Sequence, residues 1–265
     1  MGSEWLSNVL RPYPFRGKLR LLDALTPRLG QRCASVFGLP MDLDLADSIQ
    51  RHIYFGAYEP TETAMVRGWL RPGMTFVDVG ANVGYFTALA ASCVGSAGRV
   101  FAIEPQPYAY DRLAKFVARN SLGQARTLQA GLSSASGELP LFLPSEPAPE
   151  HNATMVTLGE GAQISVPVKT LDDCMAEWGI DRIDLLKIDV EGHEPKVFEG
   201  ATKALAAGRI QAVMCEFNEF WLHHAGTSSA GLYRTLTAAG LVDQNGPADF
   251  QAGGMETRFL HLPLK

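Results

Sequence analysis

No apolar run in this 265-residue sequence reaches the roughly 18 residues that a membrane-crossing helix needs. Positive charge is also scarce: 23 Lys and Arg stand against 28 Asp and Glu, a formal net charge of −5. No basic footprint therefore argues for nucleic acid or an anionic membrane surface. The four cysteines, Cys33, Cys93, Cys174 and Cys215, form no close pair and no Cys/His cluster with zinc spacing. A reducing, cytoplasmic setting is the expectation. The N-terminus has no basic segment leading into an apolar stretch, so no secretory leader is expected. Internal repeats are missing too.

What is present suffices for a full core, with 46% apolar residues. The chain is organised around Thr75 to Ala91. A short β-branched and aromatic run, Thr75 to Val79, breaks at Gly80 and resumes as an alanine-rich helical stretch from Tyr85. Strand, glycine turn and helix make the first βα unit of an open α/β sheet, whose ligands bind outside the carboxyl ends of the strands. Asp78 at the strand end would repel a pyrophosphate on the following helix and suits a cationic ligand. In the turn Gly80-x-Asn82-x-Gly84, Asn82 tolerates a left-handed backbone. Tyr85 is too large for the third small position of a dinucleotide fingerprint. These features favour S-adenosylmethionine, with its cationic sulfonium and amino group. Asp78, Gly80, Asn82, Gly84, Tyr85 and Phe86 are the expected contacts.

Val-Asp-Val-Gly-Ala-Asn-Val-Gly resembles the first motif of class I S-adenosylmethionine-dependent methyltransferases, and of the FkbM family in particular. The resemblance covers roughly residues 54 to 219. It implies a doubly wound seven-stranded sheet with the last strand antiparallel, and O-methylation of a hydroxyl on a sugar or secondary metabolite. It also implies that Tyr58 and Glu59, in the Tyr58-Glu-Pro60 lead-in, lie near cofactor or substrate. Residues 1–60 are expected to form a helical cap, with short helices over Leu19 to Leu25 and Leu43 to Ile53; residues 61–265 are the methyltransferase domain.

Gly98 to Pro105 reads as the second strand and ends in Glu104, a little over twenty residues after Gly80. A carboxylate there can accept both ribose hydroxyls, and Glu104-Pro105 is the family's pair at this place. Ala125 to Leu132 is the expected third strand, with Gly131, Leu132 and Ser133 at the adenine edge. Two short strands, Glu138 to Leu143 and Ile164 to Thr170, frame a Pro-rich loop in which His151 is a candidate acceptor contact.

The fourth strand runs into Asp189-Val-Glu191-Gly-His193-Glu194-Pro195, which is very similar to the family's Lys-Ile-Asp-Val-Glu-Gly block. Acids and a histidine at a central strand end are costly unless used. His193 is the first candidate base because its ordinary pKa lies nearest operating pH; Asp189 and Glu191 are the alternatives. The fifth strand ends in Glu216 and Asn218, candidate substrate contacts. With Asp189 they supply oxygen ligands of the kind Mg²⁺ accepts, so a metal-assisted variant stays open. The expected partner is a small hydroxylated molecule, with homo-oligomerisation left open. N-methylation on the same fold, a non-catalytic nucleoside binder and a dinucleotide oxidoreductase are the competing readings.

Overall fold

The computed structural model describes residues 30–143, 155, 162–248, 250 and 254–263. It begins with a hairpin, β1 (Gln31–Val36) against β2 (Leu39–Asp44), closed by Phe37 and Gly38 with φ of 52° and 86°. Two positive-φ residues match the twist of a two-residue hairpin turn. Over Gln31–Asp44 this corrects the expected helical cap. Met41, Leu43 and Leu45 are buried and alternate with Asp42 and Asp44, the period of a half-buried strand rather than of a helix. Helix α1 (Ser48–Tyr54) starts later, where the Asp47 side chain accepts a hydrogen bond from Gln50 N. The expected helix over Leu19 to Leu25 lies outside the described residues.

Helix α2 (Pro60–Trp69) has proline at its first position and Glu59 at its cap. The α/β core follows: β3 (Thr75–Val79), α3 (Tyr85–Val94), β4 (Arg99–Ile103), α4 (Pro107–Arg119) and β5 (Ala125–Leu128). The expected third strand is divided. Gly131–Leu132 leaves the main sheet as β6, which pairs in parallel with β8 (Gln163–Lys169), itself antiparallel to β7 (Gly137–Phe142). Helix α5 (Leu171–Trp178) then leads to β9 (Leu185–Ile188), α6 (Glu194–Glu199), α7 (Thr202–Ala206), β10 (Ala212–Asn218), α8 (Glu219–His224), α9 (Ser229–Ala238), β11 (Val242–Asp243) and β12 (Met255–His261).

The main sheet has the order β11-β12-β10-β9-β3-β4-β5. Pairs from β10 through β5 are parallel, and β12 is antiparallel to both its neighbours. This is the class I methyltransferase order, doubly wound with an antiparallel final strand. All five residues of β3 are buried, as befits a central strand covered on both faces. Phe76 packs with α3 residues such as Leu89, whereas Val77 and Val79 join the opposite layer with Val197 and Phe198. The chain leaves β3 toward β4 on one side and returns to β9 on the other. The carboxyl ends of β3 and β9 therefore flank the point where strand order reverses, the usual seat of a ligand in an open sheet.

Candidate active site

The turn after β3 is built by close backbone approach. Gly80 and Ala81 both donate to Ile103 O at 3.0 Å. A Cβ on Gly80, whose φ is +75°, would sit 1.9 Å from the Asp189 carbonyl oxygen. Only glycine lets the turns after β3 and β9 touch there. Asn82 takes the left-handed conformation expected of it, with φ of 49°. Glu104 fixes this turn from the next strand: its Oε2 accepts from Asn82 N at 2.8 Å and its Oε1 from Gln106 N at 2.9 Å. Each carboxylate oxygen retains a second lone pair for a ligand hydroxyl.

Asp78 differs from expectation. It is 0% exposed and lies beneath the turn, because strand alternation points it with Phe76 toward α3. There its Oδ2 accepts from Thr87 Oγ1 at 2.7 Å. Lys187, unassigned from sequence, supplies the counter-charge. Its Nζ donates to Gly80 O at 3.0 Å and to Asp189 Oδ2 at 3.3 Å, and lies 3.8 Å from Asp78 Oδ1. Asp78 thus shapes the floor and does not face a ligand. Gly84 is likewise withdrawn, as the cap of α3.

Above this floor opens a crevice, about 850 Å³ of empty space when its open mouth is counted. Tyr58, Gly80, Asn82, Tyr85, Phe86, Glu104, Pro105, Leu132, Asp189, Glu191 and His193 line it, so most of the expected residues are brought together. The wall also includes Ile49, Ile53, Ala130, Leu141 and Met155, from segments remote in sequence. Tyr85, the bulky residue of the turn, donates its hydroxyl to Tyr58 O at 3.1 Å and stands edge-on to the Tyr58 ring at 5.0 Å. Lys187 is the one lysine or arginine among the described lining residues. The polar wall is otherwise acidic or neutral, which fits a cationic nucleoside and fits a diphosphate poorly.

The block after β9 is held by its own last acid. Glu194 is 2% exposed, and its Oε1 accepts from Val190 N at 3.0 Å and Gly192 N at 3.3 Å. Glu191 and Gly192 turn the chain with φ of 52° and 92°. His193 Nε2 lies 3.1 Å from Ser133 Oγ, and burial, helped by Lys196, holds its pKa at about 4. The expectation of a histidine titrating near operating pH is therefore corrected. Ser133 is buried behind His193 rather than in the crevice wall. Asn218 is also redirected: its Oδ1 accepts from Trp221 N at 3.4 Å as the cap of α8. His151 lies outside the described residues.

A second, smaller space, about 290 Å³ with its open mouth counted, adjoins the crevice. Glu59, Glu62, Met214, Glu216 and Thr257 line it, and Phe86, Lys187 and Asp189 belong to both walls. Among the described residues, no group of three His, Cys, Asp or Glu side chains is placed to hold a metal ion.

Burial drives four of these carboxyls upward. Glu104 and Glu194 reach about 7. Glu59 reaches about 8, with Glu62 adding to the burial effect, and Glu216 about 9, with Asp189 adding to it. Each folded value lies above the unfolded one, so its stabilising contribution is complete below the ordinary carboxyl range and is lost as pH rises through the folded value. The ligand-free protein is expected to have its highest unfolding temperature near pH ~5 and to lose stability steadily toward pH ~9. Scanning calorimetry across that range checks this, and a flat or rising profile would contradict it.

The sequence profile of the methyltransferase FkbM domain matches residues 78–250. Methyltransferase sdnD of Sordaria araneosa is 34% identical over 156 residues, 47% of this chain and 59% of that one. Hexuronic acid methyltransferase AglP of Haloferax volcanii is 32% identical over 167 residues, 62% of each chain. The 31-O-demethyl-FK506 methyltransferase FkbM of Streptomyces tacrolimicus is 31% identical over 178 residues, 57% of this chain and 67% of that one. This chain spans less than two thirds of the first two relatives' length. The profile match covers more than half of the chain and takes in the glycine turn, Glu104 and the Asp189 block. The chain belongs to the FkbM methyltransferase family.

Proposed function

We propose that this protein transfers a methyl group from S-adenosylmethionine to a hydroxyl oxygen of a small sugar-like or secondary-metabolite acceptor. The observation that carries the reading is the acidic crevice at the strand-order reversal, with the Glu104 carboxylate at the end of β4. Glu104 receives the ribose hydroxyls, while Pro105, Leu132, Leu141 and Met155 offer an apolar slot for the base. Asp189 and the Gly80 turn receive the charged end. When bound, S-adenosylmethionine supplies the electrophilic methyl group. The protein aligns the acceptor and removes its proton.

Asp189 is the base in this reading, because its residue lines both spaces. His193 positions the wall through Ser133. Two relatives support oxygen as the acceptor atom by their names, one acting on 31-O-demethyl-FK506 and the other on a hexuronic acid. A hydroxylated acceptor panel with labelled donor, run with and without chelator, tests the proposal. Asp189→Asn is expected to lower turnover at least ~100-fold and His193→Ala about tenfold, within the range seen for loss of a general base or its support. Methylation of amines alone would favour nitrogen transfer. Activity lost to chelator would bring Mg²⁺ to Asp189 and Glu216.

A further inference from the structure

Two reactants must meet at one wall. The larger crevice and the smaller space share Phe86, Lys187 and Asp189, and the smaller one lies over the ends of β9 and β10. We propose that the smaller space seats the acceptor, and that the acceptor's reacting end is uncharged, presenting hydroxyls and no carboxylate. The inference rests on the methyltransferase reading and narrows its substrate class.

The charge inventory carries it. The space is walled by Glu59 and Glu62 from the start of α2, Asp189 from the turn after β9, and Glu216 from β10. Lys187 is its one described cation, and that cation is committed. An ammonium group has three protons. Those of Lys187 face three oxygens: Gly80 O at 3.0 Å, Asp189 Oδ2 at 3.3 Å and Asp78 Oδ1 at 3.8 Å. Asp78 Oδ1 is buried without any hydrogen-bond partner, so Lys187 already answers more carboxylate than it can satisfy. A substrate carboxylate would therefore find no free counter-ion, in a space whose own crowded acids Glu59 and Glu216 are already held protonated by burial and by neighbouring carboxyls, with Glu62 and Asp189 beside them. Like charges set together inside a low-dielectric site repel, and this is how a site refuses a partner. A polyol meets no such barrier, since carboxyl groups accept hydrogen bonds from hydroxyls. One relative carries an acid, hexuronic acid, in its name, and the proposal sets this chain's acceptor apart from such a substrate.

Met214 lines the smaller space and supplies a reporter. Full-length protein loaded with S-adenosylhomocysteine and labelled at its methionine methyls is titrated with matched pairs: glycerol and glycerate, erythritol and erythronate, methyl glucoside and methyl glucuronide. The Met214 signal is assigned by Met214→Leu. Neutral members are expected to shift it saturably, and their anionic partners only at ten-fold or higher concentration. Glu62→Lys is expected to close most of that gap while S-adenosylhomocysteine binding is retained. Anionic members that shift Met214 as readily as neutral ones would overturn the charge assignment. A Met214 signal unmoved by every probe would overturn the seat. Failure of S-adenosylhomocysteine to bind would instead sink the methyltransferase reading itself.

Discussion

Glu104→Ala is expected to weaken S-adenosylhomocysteine binding about 100-fold or more. Hydrogen bonds to a charged group contribute roughly 1.5–3 kcal/mol each, and two ribose hydroxyls are at stake. Each 1.4 kcal/mol is about tenfold in affinity. The substitution also frees the amides of Asn82 and Gln106, which the carboxylate holds at 2.8 and 2.9 Å, so the glycine turn loses its anchor. Glu104→Gln keeps one acceptor oxygen and is expected to lose about tenfold. Calorimetric titration of each variant gives the numbers, and thermal unfolding shows whether the fold survives. Wild-type affinity in Glu104→Ala would remove the ribose from this position.

Lys187→Met should destabilise the fold by about 3–5 kcal/mol, the usual cost of stripping one partner from a buried ion pair. Asp78 would be left at 0% exposure with only Thr87 to satisfy it. Burial already raises the Asp78 pKa, Lys187 opposes that rise, and removing Lys187 lets it climb further. A raised folded pKa stabilises at low pH and loses that contribution as pH increases through it. The variant's deficit against wild type should therefore be largest near pH ~8 and shrink toward pH ~5. Urea unfolding at both values measures it. A small, pH-independent loss would mean that the pair with Asp78 contributes little.

The sheet and its ligand edge were legible because their signals are local. Thr75–Val79, the glycine turn and the helix from Tyr85 follow one another directly, and Glu104 falls one βαβ unit later. The backbone role of Asn82 was readable for the same reason: few side chains accept its φ. What depends on distant partners was not readable. The expected helix over Leu43 to Ile53 begins inside the second strand of the hairpin, because apolar Leu39, Met41, Leu43 and Leu45 run into the apolar positions of α1. A period-two count over that stretch, with Phe37-Gly38 as the turn, was the available signal. A strand-end acid such as Asp78 can point toward the ligand or into the core, and Thr87 and Lys187 decide which. Lys187 itself interrupts an apolar strand, a sign that it must find an internal acid. The two long strands of the insertion were legible, near Glu138 to Leu143 and Ile164 to Thr170, but no local pattern reveals that Leu141 and Met155 reach the crevice wall.

The account depends most on what fills the crevice above Gly80 and Glu104. Isothermal titration of the purified protein with S-adenosylhomocysteine, and separately with NAD⁺, tests this directly. One S-adenosylhomocysteine per chain, displaced by S-adenosylmethionine and indifferent to NAD⁺, is the predicted result. No binding of S-adenosylhomocysteine, or its displacement by the dinucleotide, would contradict it.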